Sequence, residues 1–497
     1  MSKADRFISI VGKEYFSDSL ADVEAYSDTL FPVVPGKPFG VILPQTAEEV
    51  SEIIKYCNEI DMPIVPIASG APINGMNIAI EDGLVMDLCR MNKIHSIDPD
   101  EMVAVIEPGV TIGQMIKALE PYKLMTSYPN SSPGVSVLAN IVFLKGAGQH
   151  VTKYGTADYF LQGVEAVLGT GAIMKTGSGA VSNSDWHFRH CLGPDLSGLF
   201  IGSLGTLGIV TKGAVKLAPI SPYTWSTALG FDNISDAVEP INYIGKMKMA
   251  DYINGNYWYT GVSADTDYPW EVTGGKAALP LDYMEKWRES VGLTPVWFHL
   301  AIEGIDEREV NVRRQILEEY LDSKGIRRLD MGNDSWYHVR DTQIQGTISS
   351  IAARFCRHRG GGWSSLVFMA PIKKWGWILD PVMEMGRKWG FDPTYLLKVY
   401  GPYAHTSQCR FVLSYNKSDP DERERARSFT REFTQHALNN GGVLHRQTLQ
   451  PAVIMEHQPE FYALLKQIKK IMDPKCILNR GVLGFTPELL SELEGGN

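Results

Sequence analysis

PQTAEEVSEIIKYCNEIDMPIVPIASGAPING, residues 44–75, sets out a helix, a strand and a glycine loop in succession. Thr46 stands where an N-cap belongs, Glu49 follows three residues later, and Val50, Ile53, Ile54 and Cys57 recur at helical spacing. This pattern predicts a helix over about 46–60. PIVPIAS (63–69) reads as a short buried strand that empties into the loop. Outward from this unit, GLVMDL (83–88) and AVIEPGV (104–110) predict further strands. GVEAVLGTGAIMKTG (163–177) predicts two strands joined at Gly-Thr-Gly, and LGIVTKGAVKLAPI (207–220) predicts a strand pair. Beyond Pro222 the texture changes to strands with long amphipathic helices, such as EREVNVRRQILEEYLDSKG (307–325) and DERERARSFTREFTQHALNNGG (421–442). That texture predicts an antiparallel sheet with helices on one face, an α+β arrangement. FYALLKQIKKIMDPKCILN (461–479) predicts a helix broken at Asp-Pro. The expected units are 1–222, 223–450 and a C-terminal segment 451–497 that returns to the first.

Composition narrows the function. The 497 residues are 44% hydrophobic and 21% charged, which is globular and excludes a disordered or coiled-coil chain. The 47 basic residues are scattered against 57 acidic ones, so the basic footprint of a nucleic-acid binder is missing. No run approaches the roughly 20 apolar residues of a membrane span, and the first residues lack a secretory pattern. A cytoplasmic protein without a membrane span is expected. The six cysteines contain no CxxC, so neither an iron–sulfur cluster nor a local zinc site is encoded, and no metal is expected.

Three glycine-rich segments stand out: ASGAPING (68–75), SPGVSVLANIVFLKGAGQHVTKYG (132–155) and GPDLSGLFIGSLGTLGIVTKG (193–213). Glycine lets backbone approach a ligand and aim successive N–H groups at it, which neutralises a diphosphate without many cations. Any one such loop is equally a tight turn. GxGxxG after the first strand and GxxxxGK[ST] are both absent, so a Rossmann or P-loop site is not encoded.

In this order the segments resemble the FAD-binding domain of the vanillyl-alcohol oxidase and p-cresol methylhydroxylase (PCMH) flavoprotein superfamily. PQTAEEV (44–50), LVMDL (84–88), VIEPGVTIGQM (105–115), YGTADYFLQGVEAVLGTGAIMKTG (154–177) and IKKIMDPKCILN (468–479) carry the match along with the loops. The resemblance implies FAD, covalent or noncovalent, held between two α+β subdomains of a PCMH-type domain, with a cap domain over it. It assigns Ser69, Gly70, Ala71, Ile73, Asn74 and Gly75 to the diphosphate loop, and Pro133, Gly134, Ser136, Val137 and Asn140 to the dinucleotide wall. Gly205, Thr206, Gly208 and Ile209 fall to the adenosine or ribityl part, Tyr154 and Gly155 to the neighbourhood of the isoalloxazine, and Asn479 to the cofactor site.

RHRGGGWSSLVFMAPI (357–372), YNKSDPDERERAR (415–427) and GGVLHRQT (441–448) resemble the cap of the 4-alkylphenol-oxidising branch. There the last motif carries Tyr-Arg, with the Arg on the substrate phenolate; this chain has His445 and Arg446. Ile73 replaces the Tyr that the branch brings to the phenolate, and Leu144-Lys145 replaces an acidic residue of the third loop. The metal-binding His pair of the D-2-hydroxy-acid branch is not matched either, since KVYGPYAHTSQC (398–409) offers only His405. His405 and Cys409 lie where some relatives attach flavin covalently. Arg357, His358 and Arg359 form a basic cluster that is either solvated or near an anion.

The resemblance therefore implies an FAD-dependent oxidoreductase moving a hydride from an aromatic alcohol or 4-alkylphenol to flavin N5. Arg446 is expected to hold the anionic end and His445 or Tyr400 to move a proton. The alternatives are a D-2-hydroxy-acid dehydrogenase, an electron-transfer subunit without a substrate, and a redox-neutral carbon–oxygen exchange. A small-molecule substrate, an acceptor protein or quinone, and a homodimer complete the expectation.

Overall fold

The computed structural model describes residues 2–69, 75–128, 132–148, 150–258, 280–329, 360–400, 406–446 and 451–493. Helix Ala47–Glu59 forms where its pattern requires, with Thr46 Oγ1 accepting the Glu49 N–H at 3.2 Å and Val50, Ile53, Ile54 and Cys57 buried. Strand Ile64–Ile67 follows, buried throughout, and pairs in parallel with Leu84–Asp87. Gly40–Ile42 lies in parallel on the other side of Leu84–Asp87, and Phe16–Ser17 closes that edge antiparallel. Parallel strands covered on both faces are continuous apolar runs, as IVPI and LVMD are.

A second, antiparallel sheet orders its strands as Ile94–Asp98, Val103–Ile106, Ile209–Lys216, Leu161–Val167 and Ile173–Lys175. Helix Ala47–Glu59 docks on it through Ser51 Oγ to the Gly171 carbonyl, and Asn58 Nδ2 of the same helix donates to that of Gly169, both at 2.6 Å. The strand pair expected over 207–220 is not a hairpin. Gly213 stays inside the strand Ile209–Lys216, because the missing side chain admits Leu138, and Ala218–Pro219 pairs instead with Leu124–Met125.

Among the described residues the cap sheet has eight antiparallel strands, in the order Arg327–Leu329, Tyr223–Phe231, Val296–Gly304, Tyr252–Tyr257, Thr394–Tyr400, Thr406–Asn416, Gly361–Ala370 and Val443–Arg446. Helices Ile234–Lys246, Glu307–Ser323, Trp375–Lys388 and Pro420–Asn439 contribute to one core with Phe298, Leu300, Leu366, Phe368 and Phe411. Those residues alternate along their strands, so their neighbours face the other way. That second face meets the first domain. Thr152 Oγ1 donates to the Val399 carbonyl (2.6 Å) and accepts from Ile253 N–H (3.1 Å), and Lys398 Nζ donates to the carbonyl of Ala147 (3.3 Å). Helix Pro459–Met472 carries the chain back to the first domain.

Candidate active site

Described residues of the second and third glycine-rich segments, Phe143 and Gly205, meet at Pro66 of strand Ile64–Ile67. Ser69 and Gly75 flank the first loop; Gly70, Ala71, Ile73 and Asn74 lie outside the described residues. Gly75 has φ +65° with the Phe31 ring against its Cα, a position that excludes a side chain. Gly205 has φ +70°, and a Cβ there would stand 2.8 Å from Pro66 Cγ. Asn479 Nδ2 donates to the carbonyls of Met76 at 2.8 Å and Leu204 at 2.6 Å. Its side-chain amide is thus committed to the protein, and Asn479 positions the first and third loops against each other.

Several of the other assigned residues have side chains engaged within the protein. Ser136 Oγ donates to the Pro108 carbonyl at 2.6 Å and accepts from Ala139 N–H, while Val137 and Ile209 are buried in hydrophobic cores. Thr206 Oγ1 donates to the Ser203 carbonyl at 2.6 Å, and Gly208 makes room for Phe200. The side chains of Ser136, Val137, Thr206 and Ile209 thus hold the fold together, and contact with a cofactor would fall to backbone groups of these loops. Gly134 differs: a Cβ there would meet nothing closer than 3.7 Å, and the neighbouring Pro133 carbonyl is taken by Gly113 N–H. Asn140, 1% exposed, keeps a buried Nδ2 with no partner among the described residues. An orphaned buried donor between small-residue loops fits an acceptor-rich dinucleotide such as FAD. Tyr154 packs edge-on against Phe160, and burial raises its hydroxyl pKa; Gly155 beside it has φ +82°. A small cavity lined by Ser127, Tyr128, Gly148, His150 and Gly155 adjoins them, and the Tyr128 hydroxyl is also without a partner among the described residues.

Across the cap sheet, register puts His299, Asn254, Lys398, Gln408 and Met369 in one row on the face turned from the helices. The next row holds Trp297, Asn256, Leu396, Arg410, Val367 and Arg446. Arg410 donates Nε–H to Ser365 Oγ at 3.2 Å and lies 5.6 Å from the centre of the Trp363 ring; desolvation pushes its guanidinium down to about 10, still cationic at neutral pH. His445 follows Leu444, which packs on the helix side, so the histidine takes the opposite face, with Nδ1 3.4 Å from Gln408 Nε2.

Two of the expected chemical roles do not survive this placement. Cys409 points into the helix-covered core, fully buried, and burial pushes its thiol up to about 12, so it is not presented for flavin attachment. Tyr400 donates its hydroxyl to Met369 Sδ at 2.6 Å, and burial raises its pKa, which unsuits it as a base. His405 and the 357–359 cluster lie outside the described residues, as does the side chain of Arg446. Reading the sequence missed Lys398, Arg410, Asn254 and Asn256. The signal was available in YINGNY (252–257), where two asparagines alternate on a strand otherwise apolar enough to be buried. Among the described residues no group of three or more His, Cys, Asp or Glu is disposed to hold a metal, and no helix is long and apolar enough to cross a membrane.

Comparison with known proteins agrees with this architecture. Residues 38–177 match the FAD binding domain family and 399–483 the C-terminal domain of FAD linked oxidases. The glycolate oxidase subunit GlcD of Bacillus subtilis is 35% identical over 48% of this chain and 50% of its own. D-lactate dehydrogenase of Archaeoglobus fulgidus is 30% identical over 97% of this chain and 99% of its own. The 4-cresol dehydrogenase [hydroxylating] flavoprotein subunit of Pseudomonas putida is 25% identical over 97% and 94%. The crystal structure of p-cresol methylhydroxylase with substrate bound superposes with a TM-score of 0.86 at 22% identity, covering 98% of this chain and 96% of that one. On the full-length match and the two domain matches together, the chain belongs to the FAD-linked oxidases of the p-cresol methylhydroxylase and vanillyl-alcohol oxidase superfamily and is an FAD-dependent oxidoreductase.

Proposed function

We propose that this oxidoreductase acts on an aromatic alcohol or 4-alkylphenol whose oxygen is bound as an anion at the cap face. The observation that carries the reading is the pair of cap rows, which put Lys398 and Arg410 on adjacent strands and the backbone of Arg446 in register two strands beyond Arg410, with no carboxylate in either row among the described residues. FAD, when bound, supplies the two-electron acceptor. The chain's own task is then electrostatic: cations in a desolvated site favour the ionised oxygen of the substrate. His445, oriented by Gln408, takes the proton. Electrons leave to an acceptor protein or a quinone, and the working form is a cytoplasmic homodimer.

A second reading, a D-2-hydroxy-acid dehydrogenase, is favoured by the full-length similarity to D-lactate dehydrogenase. Anaerobic titration of the yellow holoenzyme with vanillyl alcohol, 4-cresol and D-lactate separates the two. Bleaching by a phenol or aromatic alcohol, lowered about 100-fold or more in kcat/KM by Arg446→Ala at unchanged FAD content, is expected. Bleaching by D-lactate alone moves the function to the second reading.

A further inference from the structure

Residues 26–37 lie ahead of the stretch that matches the FAD binding domain family, and they are tied to the first domain at both ends. Tyr26 Oη donates to Asp87 Oδ2 at 2.6 Å, Gly36 N–H to the Ala79 carbonyl at 2.8 Å and Lys37 N–H to Glu81 Oε2 at 2.8 Å. Between these anchors the chain is held by the cap. The Leu30 carbonyl accepts both Trp363 N–H (2.7 Å) and the Tyr415 hydroxyl (2.8 Å), and the Pro32 carbonyl accepts Arg427 Nε–H at 3.1 Å. An exposed ion pair, Lys417 with Asp28 at 2.7 Å, lies at the start of the same run. Phe31 stands between the two carbonyls that the cap holds, and its ring, 1% exposed, reaches back to the first domain. There it lies so close to Gly75, at the exit of the first glycine loop, that a Cβ on Gly75 would stand 2.4 Å from Phe31 Cδ1. The next residue, Met76, is held through its carbonyl by Asn479. Backbone N–H groups bind a diphosphate well only when their loop is ordered beforehand, because ordering it at the moment of binding costs affinity. The ring that fixes the exit of this loop is delivered by a segment fastened to the other domain.

We propose that residues 28–32 form a strap through which the cap sets the affinity of the first domain for FAD, with Phe31 as the positioning residue. The assignment is independent of which substrate is oxidised, since it concerns how the cofactor is retained. Tyr415 and Arg427 act on the loop from the cap through Leu30, Phe31 and Pro32. Coupling between two sites is reciprocal, so bound FAD in turn fastens the strap to the cap.

The test is amide hydrogen exchange of the holoenzyme, together with FAD release followed by the rise in flavin fluorescence. Tyr415→Phe and Arg427→Met remove one donor each from the strap, keep most of the side-chain bulk and lie in the cap, away from the glycine loops. Each is expected to speed exchange at residues 75–82 and to speed FAD release by about 2- to 10-fold, the range of one hydrogen bond, with helix Pro420–Asn439 exchanging as in wild type. In the wild-type protein, removal of FAD is expected to speed exchange at residues 28–32 and 361–364, a response that packing alone does not produce. Phe31→Ala is expected to give the largest effect at residues 75–82; Phe31→Leu, which keeps part of the apolar bulk, is expected to fall between and carries the test should Phe31→Ala not fold. Faster exchange confined to residues 28–32 in both cap variants, with residues 75–82 and FAD release as in wild type, would overturn the proposal. So would an exchange rate at residues 28–32 and 361–364 that is the same with and without FAD.

Discussion

Asn479 shows what a single side chain does here. Its amide reaches the carbonyls of Met76 and Leu204, and its own N–H donates to the Ile64 carbonyl at 2.8 Å, so one residue binds the exits of two glycine loops to a buried strand. Asn479→Ala orphans two buried carbonyls, each worth roughly 1–3 kcal/mol. The expected result is a purified protein with reduced FAD content, an FAD Kd raised about tenfold and a melting temperature lower by several degrees. Full FAD occupancy with the wild-type melting curve would show that the loops hold themselves. The residue was legible in the IKKIMDPKCILN motif; its role was not, because a motif marks that an amide is near a cofactor without saying which partner it bonds. Cys409 is the reverse case. Its position in the chain drew attention to reactivity, and only the alternation of its strand put the thiol in the core.

At the scale of the element, helix Pro459–Met472 and the turn after it depend on one fully buried ion pair. Lys469 Nζ donates to Asp473 Oδ2 at 2.6 Å, to the Thr206 carbonyl at 2.7 Å and to the Leu478 carbonyl at 3.1 Å. Asp473 also accepts the N–H groups of Ile477 (3.2 Å) and Leu478 (2.8 Å), which fixes the turn where Asp-Pro ends the helix. Lys469→Met leaves that carboxylate buried and uncompensated, and the expected loss is about 3–5 kcal/mol. A urea midpoint that does not move would refute it. Lys469→Met with Asp473→Asn is expected to recover part of the loss, since a neutral amide removes the stranded charge. The helices were readable because caps and 3.6-residue spacing are local. The strand Ile209–Lys216 was misread as a pair because a glycine in a strand signals a turn and a close packing contact alike, and Leu138, far away in sequence, decides which.

For the whole molecule, the cap and the first domain meet through side chains from both. His150 Nε2 lies 2.9 Å from Glu303 Oε1 and Lys153 Nζ 3.4 Å from its Oε2, on a carboxylate that is almost entirely buried. Lys398 and Thr152 add hydrogen bonds across the same seam. Glu303→Gln removes the charge that these two partners share and is expected to cost about 1–3 kcal/mol. Limited proteolysis of the holoenzyme should then proceed faster at the seam; an unchanged digestion rate and melting temperature would mean that the contact carries no net stability. From the chain alone, the resemblance carried by its ordered motifs implied the superfamily and the cofactor, while caps and periodicity, which are local properties, marked the α+β class and most helices and strands. Only the tertiary structure decided which face of the cap sheet each polar residue occupies. It brought Arg410, Asn256 and His445, drawn from three strands, onto one surface opposite the first domain. That result depends on strand register and on which side the helices cover, both of which are set by contacts between residues far apart in sequence.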